Sequence, residues 1–135
     1  MTLKLTLRFA ALVFASLIAG LLSIPAFAGP DDYEFQLIET TLKQGDGAIV
    51  AVRLVDKRSG AAVPDAVIFT TRLDMAPDGM EMMTTPVEAM PSDQPGIYRF
   101  KTNLTMAGGW QFSLAAKVQG EAETVQSKLV LQAVQ

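Results

Sequence analysis

Five methionines fall in the stretch "DMAPDGMEMMTTPVEAM", residues 74–90: Met75, Met80, Met82, Met83 and Met90. A sixth, Met106, stands just before the turn "AGG" and Trp110. A thioether is a soft, uncharged ligand that needs no deprotonation, and soft donors favour Cu(I) over hard or borderline ions. Met80 and Met82, two apart, share a face of an extended backbone, and Met83 then points the other way unless the chain turns. Pro77 and Gly79 are the residue types that make such a turn. Met75 and Met90 flank the loop and reach it if their strands pair. Three sulfurs converging on one point would make a site for Cu(I) or Ag(I).

The charge pattern supports a cation. Asp74, Asp78, Glu81, Glu88 and Asp93 lie between Leu73 and Tyr98, with no lysine or arginine among them. Such a segment raises the local concentration of cations without having to ligate them. Other readings of the same residues stay open at this point. Methionine fills irregular gaps in cores and also forms adaptable contact surfaces, so the cluster also reads as packing, or as a repackable patch for a partner protein. A hard-cation site from Asp74, Asp78 and Glu81 is the weakest reading, because their spacing does not match a calcium loop.

Absent residue types narrow the chemistry further. The chain has no cysteine and no histidine. Ser-His-Asp and Cys-His nucleophile arrangements cannot be built, nor can the usual zinc sites or haem ligation by His or Cys. No carboxylate pair comes with a pocket around it, so the reading is a non-enzymatic protein with no organic cofactor. "NLT" at residues 103–105 fits a glycosylation acceptor pattern, and reads as incidental beside a leader of bacterial type.

That leader is the start of the chain. Lys4 and Arg8 precede an apolar run to Ile24, followed by Pro25 and the small residues Ala26 and Ala28. A basic start, an apolar middle and an A-x-A end make a secretory signal peptide. The expected division is a signal peptide helix over residues 1–28, cleaved after Ala28, and one domain over residues 29–135. The alternative is an uncleaved segment acting as a membrane anchor. The mature domain then keeps nine basic residues against 14 acidic ones, a balance that speaks against nucleic acid as a partner.

The elements that must position the methionines read as short strands. "YEFQLIETT" puts Tyr33, Phe35 and Leu37 on one face. "AIVAVRLVD" suits an inner strand, and "DAVIFTTRLD" is rich in β-branched and aromatic residues. "GIYRFKTNL" turns Tyr98, Phe100 and Leu104 inward, and "WQFSLAAKV" does the same with Trp110, Phe112, Leu114, Ala116 and Val118. "TVQSKLVLQAV" closes with Val125, Leu129 and Leu131 inward. With a further strand near "TTPVEAM", the pattern predicts an all-β, immunoglobulin-like antiparallel sandwich of about seven strands. Trp110 is expected at its centre.

Over "GIYRFKTNLTMAGGWQFSLAAKV" the chain resembles the YtkA-like and FixH-like families of bacterial exported domains. The residues carrying the resemblance are Gly96, Tyr98, Leu104, Met106, Gly108, Gly109 and Trp110, and "DMAPDGMEMM" is similar to a methionine-bearing stretch of YtkA-like members. The resemblance covers residues 48–118. It implies an immunoglobulin-like periplasmic or membrane-anchored domain accompanying heavy-metal efflux or copper-handling systems. FixH-like members are tied to copper delivery for a respiratory oxidase and keep a membrane anchor; cleavage after Ala28 favours the YtkA-like side. The lack of histidine leaves only a methionine-based Cu(I) site. The expectation is therefore a periplasmic binding or carrier domain for Cu(I) or Ag(I), with Met80, Met82 and Met83 as first ligands and Met75, Met90 and Met106 as further candidates. Its partners would be periplasmic or inner-membrane metal-transport or respiratory proteins. The alternative is an interaction module of such a complex with no metal of its own.

Overall fold

Alternation along "GGWQFSLAAK" builds the strand at the heart of the molecule. Trp110, Phe112, Leu114 and Ala116 are all buried, while Gln111 and Ser113 between them stay partly exposed. The computed structural model describes residues 30–135, and the leader expected over residues 1–28 lies outside them. Strands β1 (Tyr33–Leu37), β3 (Gly45–Asp56), β6 (Val87–Met90) and β7 (Ile97–Leu104) form one sheet in the order β1-β3-β7-β6. Strands β2 (Thr41–Lys43), β4 (Val67–Met75), β5 (Met80–Thr85), β8 (Gly108–Lys117) and β9 (Thr124–Val134) form the other in the order β2-β9-β8-β4-β5. Among the described residues only the β2–β9 pairing is parallel. The fold is an immunoglobulin-like sandwich, as the alternation predicts.

The two inner faces meet through large side chains. Phe35, Val50, Val52, Leu54, Phe100 and Leu104 come from the four-stranded sheet, and Leu73, Met75, Trp110, Phe112 and Leu131 from the other. Phe100 and Phe112 touch edge to face across the gap, with ring centroids 5.2 Å apart and planes at 64°, a geometry that aromatic quadrupoles favour. Each side chain of this size contributes about 1.5–3 kcal/mol on burial. With no cysteine in the chain, this interior carries the stability. Its polar edges are satisfied: Trp110 Nε1 donates to the Met106 carbonyl at 3.0 Å, and the Tyr98 hydroxyl donates to Val63 O at 2.7 Å while accepting from Ala66 N–H at 3.0 Å.

Three local differences from the sequence pattern bear on the site. "QGDG", whose two glycines are the residue type of a turn, contributes Gly45 to the start of β3, where a bulge between Gly45 and Ala48 absorbs the glycines. "TTPVEAM" is two elements. Thr85 ends β5 in one sheet and Val87 begins β6 in the other. Pro86 has no N–H to continue a ladder, and its carbonyl accepts from the Thr102 hydroxyl at 2.8 Å. Finally, the segment after Gly79, read as loop, is strand β5, one edge of the five-stranded sheet.

Candidate functional site

At the end of β4 the chain must reverse, and Asp74 starts the reversal. Its Oδ1 accepts from Ala76 N–H at 2.9 Å, and a single 3-10 turn, Ala76–Asp78, follows. Pro77 fits the first positions of such a turn. Gly79, at φ 74°, takes the left-handed conformation that ends it and donates its N–H to the Ala76 carbonyl at 2.9 Å. The turn lies directly on the start of β8. Asp78 Oδ2 accepts from Gly109 N–H at 3.1 Å. A Cβ on Gly108 would collide with the Asp78 carboxylate, and one on Gly109 would stand 2.9 Å from Pro77 Cβ. The "GG" pair is therefore what lets the methionine turn and the β7–β8 turn, residues 105–107, sit against each other.

Strand β5 leaves the turn with an irregular register. Asp74 pairs with Thr84, but its neighbour Met75 pairs with Met80. One step along β4 thus corresponds to four along β5, and residues 81–83 are left out as a bulge. Arg72 holds this bulge in place. Its Nη2 donates to the Glu81 carbonyl at 2.9 Å and its Nε to Asp74 Oδ2 at 2.8 Å. Bulges at sheet edges also interrupt the row of unpaired backbone groups through which edges stick together.

The six candidate ligands separate on this frame. Met82 is 88% exposed, Met106 40%, Met83 38% and Met80 37%. These four belong to one end of the sandwich: Met80 beside the turn, Met82 and Met83 in the bulge, Met106 on the turn that leads into Gly108. Met75 departs from the expectation of an accessible ligand, because it is 0% exposed and belongs to the core. The reason is its place as the last inward residue of β4, where its Cε lies against the bare backbone of Gly108, 3.0 Å from where a Cβ would stand. Met90 departs from the cluster altogether. It lies in the other sheet opposite Arg99, five residues up β7 from Leu104, about 17 Å at 3.4 Å per residue. There it lines a separate depression of about 280 Å³ with Ile68, Tyr98 and Phe100. The expected approach of Met90 through strand pairing fails because Pro86 sends its strand across to the opposite sheet.

The carboxylates have structural work. Both oxygens of Asp74 are engaged, by Arg72 and Ala76, and Asp78 is engaged by Gly109. Among the described residues no three carboxylates are grouped so as to hold a metal ion, which removes the footing of the hard-cation reading. Glu81 and Asp78 stay exposed beside the methionines and supply negative charge there. Two features escaped the sequence. Arg72 carries no signal in the sequence, because its role depends on a bulge that no local pattern announces. The outer face of the five-stranded sheet carries a shallow depression of about 430 Å³, crossed by one rung of paired residues, Arg72, Ser113 and Lys128.

No curated protein matches the chain. Among solved structures it is similar to the Lin-41 filamin domain, at 15% identity over 81% of this chain and 98% of that one, with a TM-score of 0.47. It is also similar to the ZirS C-terminal domain, at 12% identity over 100% and 88%, TM-score 0.46. A conjugative transposon lipoprotein from Bacteroides eggerthii DSM 20697 follows at 11% identity over 74% and 96%, TM-score 0.34. A family model described as YtkA-like matches residues 27–115, a span that begins ahead of β1 and ends within β8. With more than half of its length under that model, the chain belongs to the YtkA-like family.

Proposed function

We propose that this domain is a non-enzymatic, periplasmic binding or carrier protein for a soft monovalent ion, Cu(I) or Ag(I). The observation that carries the reading is the exposure of four thioethers at one end of the sandwich: Met80, Met82, Met83 and Met106. Soft sulfur donors with no histidine, cysteine or thiolate nearby select monovalent soft ions over Cu(II) and zinc. The exposed carboxylates of Asp78 and Glu81 draw cations toward them through the local field. An exposed, bulged edge strand suits hand-over to another protein better than long-term storage, because an incoming ligand can reach the ion from outside. A periplasmic or inner-membrane metal-transport or respiratory protein is the fitting recipient.

The same exposure favours one second reading, an adaptable apolar contact patch with no metal, since methionine surfaces repack against varied partners. Titration of the purified chain with Cu(I) against a competing chelator separates the two. The carrier takes up about one Cu(I) per chain, and Met80→Leu with Met82→Leu abolishes uptake, because leucine keeps the volume and removes the sulfur. An unmodified chain that leaves all the Cu(I) on the chelator refutes the carrier reading. Partner capture that survives the leucine changes and fails with Met82→Glu supports the patch instead.

A further inference from the structure

The methionines differ most in how far a small reagent can reach their sulfurs, and that difference has a chemistry of its own. A thioether reacts with a neutral peroxide through a sulfur lone pair. The S–O bond forms as the O–O bond breaks, sulfur gives up two electrons, and the peroxide leaves as water once its proton has moved to the departing oxygen. The product is methionine sulfoxide, which is polar and chiral, and which methionine sulfoxide reductases return to the thioether, the oxygen leaving as water as a dithiol is oxidised to a disulfide.

We infer that the β5 bulge and the β7–β8 turn form a site of reversible sulfoxidation by peroxides, which switches off soft-metal binding at the same sulfurs. The metal half of this inference rests on the proposed function; the oxidation half rests on the geometry alone. Met82 is 88% exposed and Met106, Met83 and Met80 between 37% and 40%, whereas Met75 is 0% exposed. Residues 81–83 lie outside the β4–β5 register, so an added oxygen on Met82 or Met83 displaces no paired residue of β4. The Glu81 carbonyl remains tied to Arg72, which holds the bulge while its side chains change. Met106 is anchored through its backbone carbonyl on Trp110, leaving its thioether free to react. Met75 is different: its sulfur belongs to the core, and a sulfoxide there needs the strand to open first. The fold therefore permits oxidation of the outer sulfurs without unfolding. Once oxidised, the sulfur presents a hard oxygen dipole in place of a soft lone pair, and Cu(I) or Ag(I) loses its ligand.

The test is graded oxidation of the purified chain with hydrogen peroxide, followed by peptide mass mapping and by Cu(I) competition on the same samples. Met82 oxidises first, Met106, Met83 and Met80 follow, and Met75 lags Met82 by about tenfold or more while the far-ultraviolet circular dichroism is unchanged. Ag(I), which does not cycle with peroxide, slows oxidation of the sulfurs it occupies. Cu(I) uptake falls with the sulfoxide content of the outer methionines, and methionine sulfoxide reductases restore it. Two results overturn the inference: Met75 oxidising in step with Met82 in the folded chain, or full uptake of Cu(I) after the four outer methionines are sulfoxides. Failure of the unoxidised chain to bind Cu(I) or Ag(I) overturns the proposed function and the switch together, and the mapped oxidation order shows which of the two arguments has failed.

Discussion

Met75→Ala measures whether the methionine segment is one functional group or two unlike ones. Met75 has 0% exposure and sits on the inner face of β4. Truncation to alanine removes three heavy atoms, worth about 2.4 kcal/mol at about 0.8 kcal/mol per buried methylene-sized group. Each 40 Å³ of space that fails to collapse adds about 1 kcal/mol. Collapse is hindered here, because the Met75 methyl lies against the backbone of Gly108, which has no side chain to move in and is held by the Asp78 turn. The expected loss is therefore about 3–4 kcal/mol. Met82→Ala, at 88% exposure, should stay within about 0.5 kcal/mol of the parent. Urea unfolding followed by circular dichroism reads both, as a shift in midpoint at constant slope. Met75→Leu serves as the volume control and should cost less than about 1.5 kcal/mol, with Cu(I) uptake unchanged. A Met75→Ala loss below about 1 kcal/mol, or a Met82→Ala loss of similar size to it, would refute the division into core and surface methionines.

Gly109→Ala should cost about 1–3 kcal/mol, since its Cβ would stand 2.9 Å from Pro77 Cβ and push the Ala76–Asp78 turn outward; thermal unfolding checks the loss, and faster amide exchange at Gly79 checks the displacement. Arg72→Ala should lower stability by about 1–3 kcal/mol, because the guanidinium is half exposed but the buried Asp74 carboxylate loses its cation, and it should raise amide exchange across residues 81–83 by removing the donor that holds the Glu81 carbonyl. Tyr98→Phe leaves Val63 O and Ala66 N–H without their partner, and a loss of about 1–3 kcal/mol in urea unfolding is expected. Asp56 has its carboxyl held below the ordinary range by hydrogen bonds from Arg58. Its contribution is fully present above the unfolded pKa and is lost as pH falls through the lower folded one, so Asp56→Asn should flatten the acid side of a plot of urea midpoint against pH.

The sandwich was legible where period-two alternation ran unbroken. Trp110, Phe112, Leu114, Ala116 and Val118 are each buried as their alternation implies, and so are Phe100, Leu104, Val125 and Leu131. Alternation says nothing where it is broken, and residues 76–86 break it three times: by a 3-10 turn, by a bulge and by a proline that changes sheets. Which methionine faces inward there depends on partners elsewhere in the chain. Met75 is inward because Leu73, two residues earlier, is buried on the same strand. Met90 is remote because its strand pairs with β7 in the other sheet and not with β4 or β5. The "GG" pair at residues 108–109 was visible as a turn signal, but its use as a seat for Asp78 and Pro77 is a tertiary fact.

The exposure pattern also limits what ordinary packing can explain. Packing accounts for Met75, which is fully buried, and for Met90, which lines a depression between neighbours. It does not account for Met82, whose side chain gains almost no burial from the fold. An exposed apolar side chain on an edge strand is an aggregation hazard, and a charged or polar residue there would remove it at no cost in core packing. The chain instead limits the hazard in other ways. The bulge interrupts the edge at residues 81–83, and the exposed carboxylates of Asp78 and Glu81 beside it disfavour the approach of a second copy. These devices keep thioethers in water while leaving the sulfurs open to whatever approaches. A requirement for sulfur and a requirement for an adaptable apolar surface both fit that arrangement, and they part company at leucine. Leucine preserves the apolar surface and its volume but has no lone pair, so the response of Cu(I) uptake and partner capture to Met82→Leu decides which requirement shaped β5.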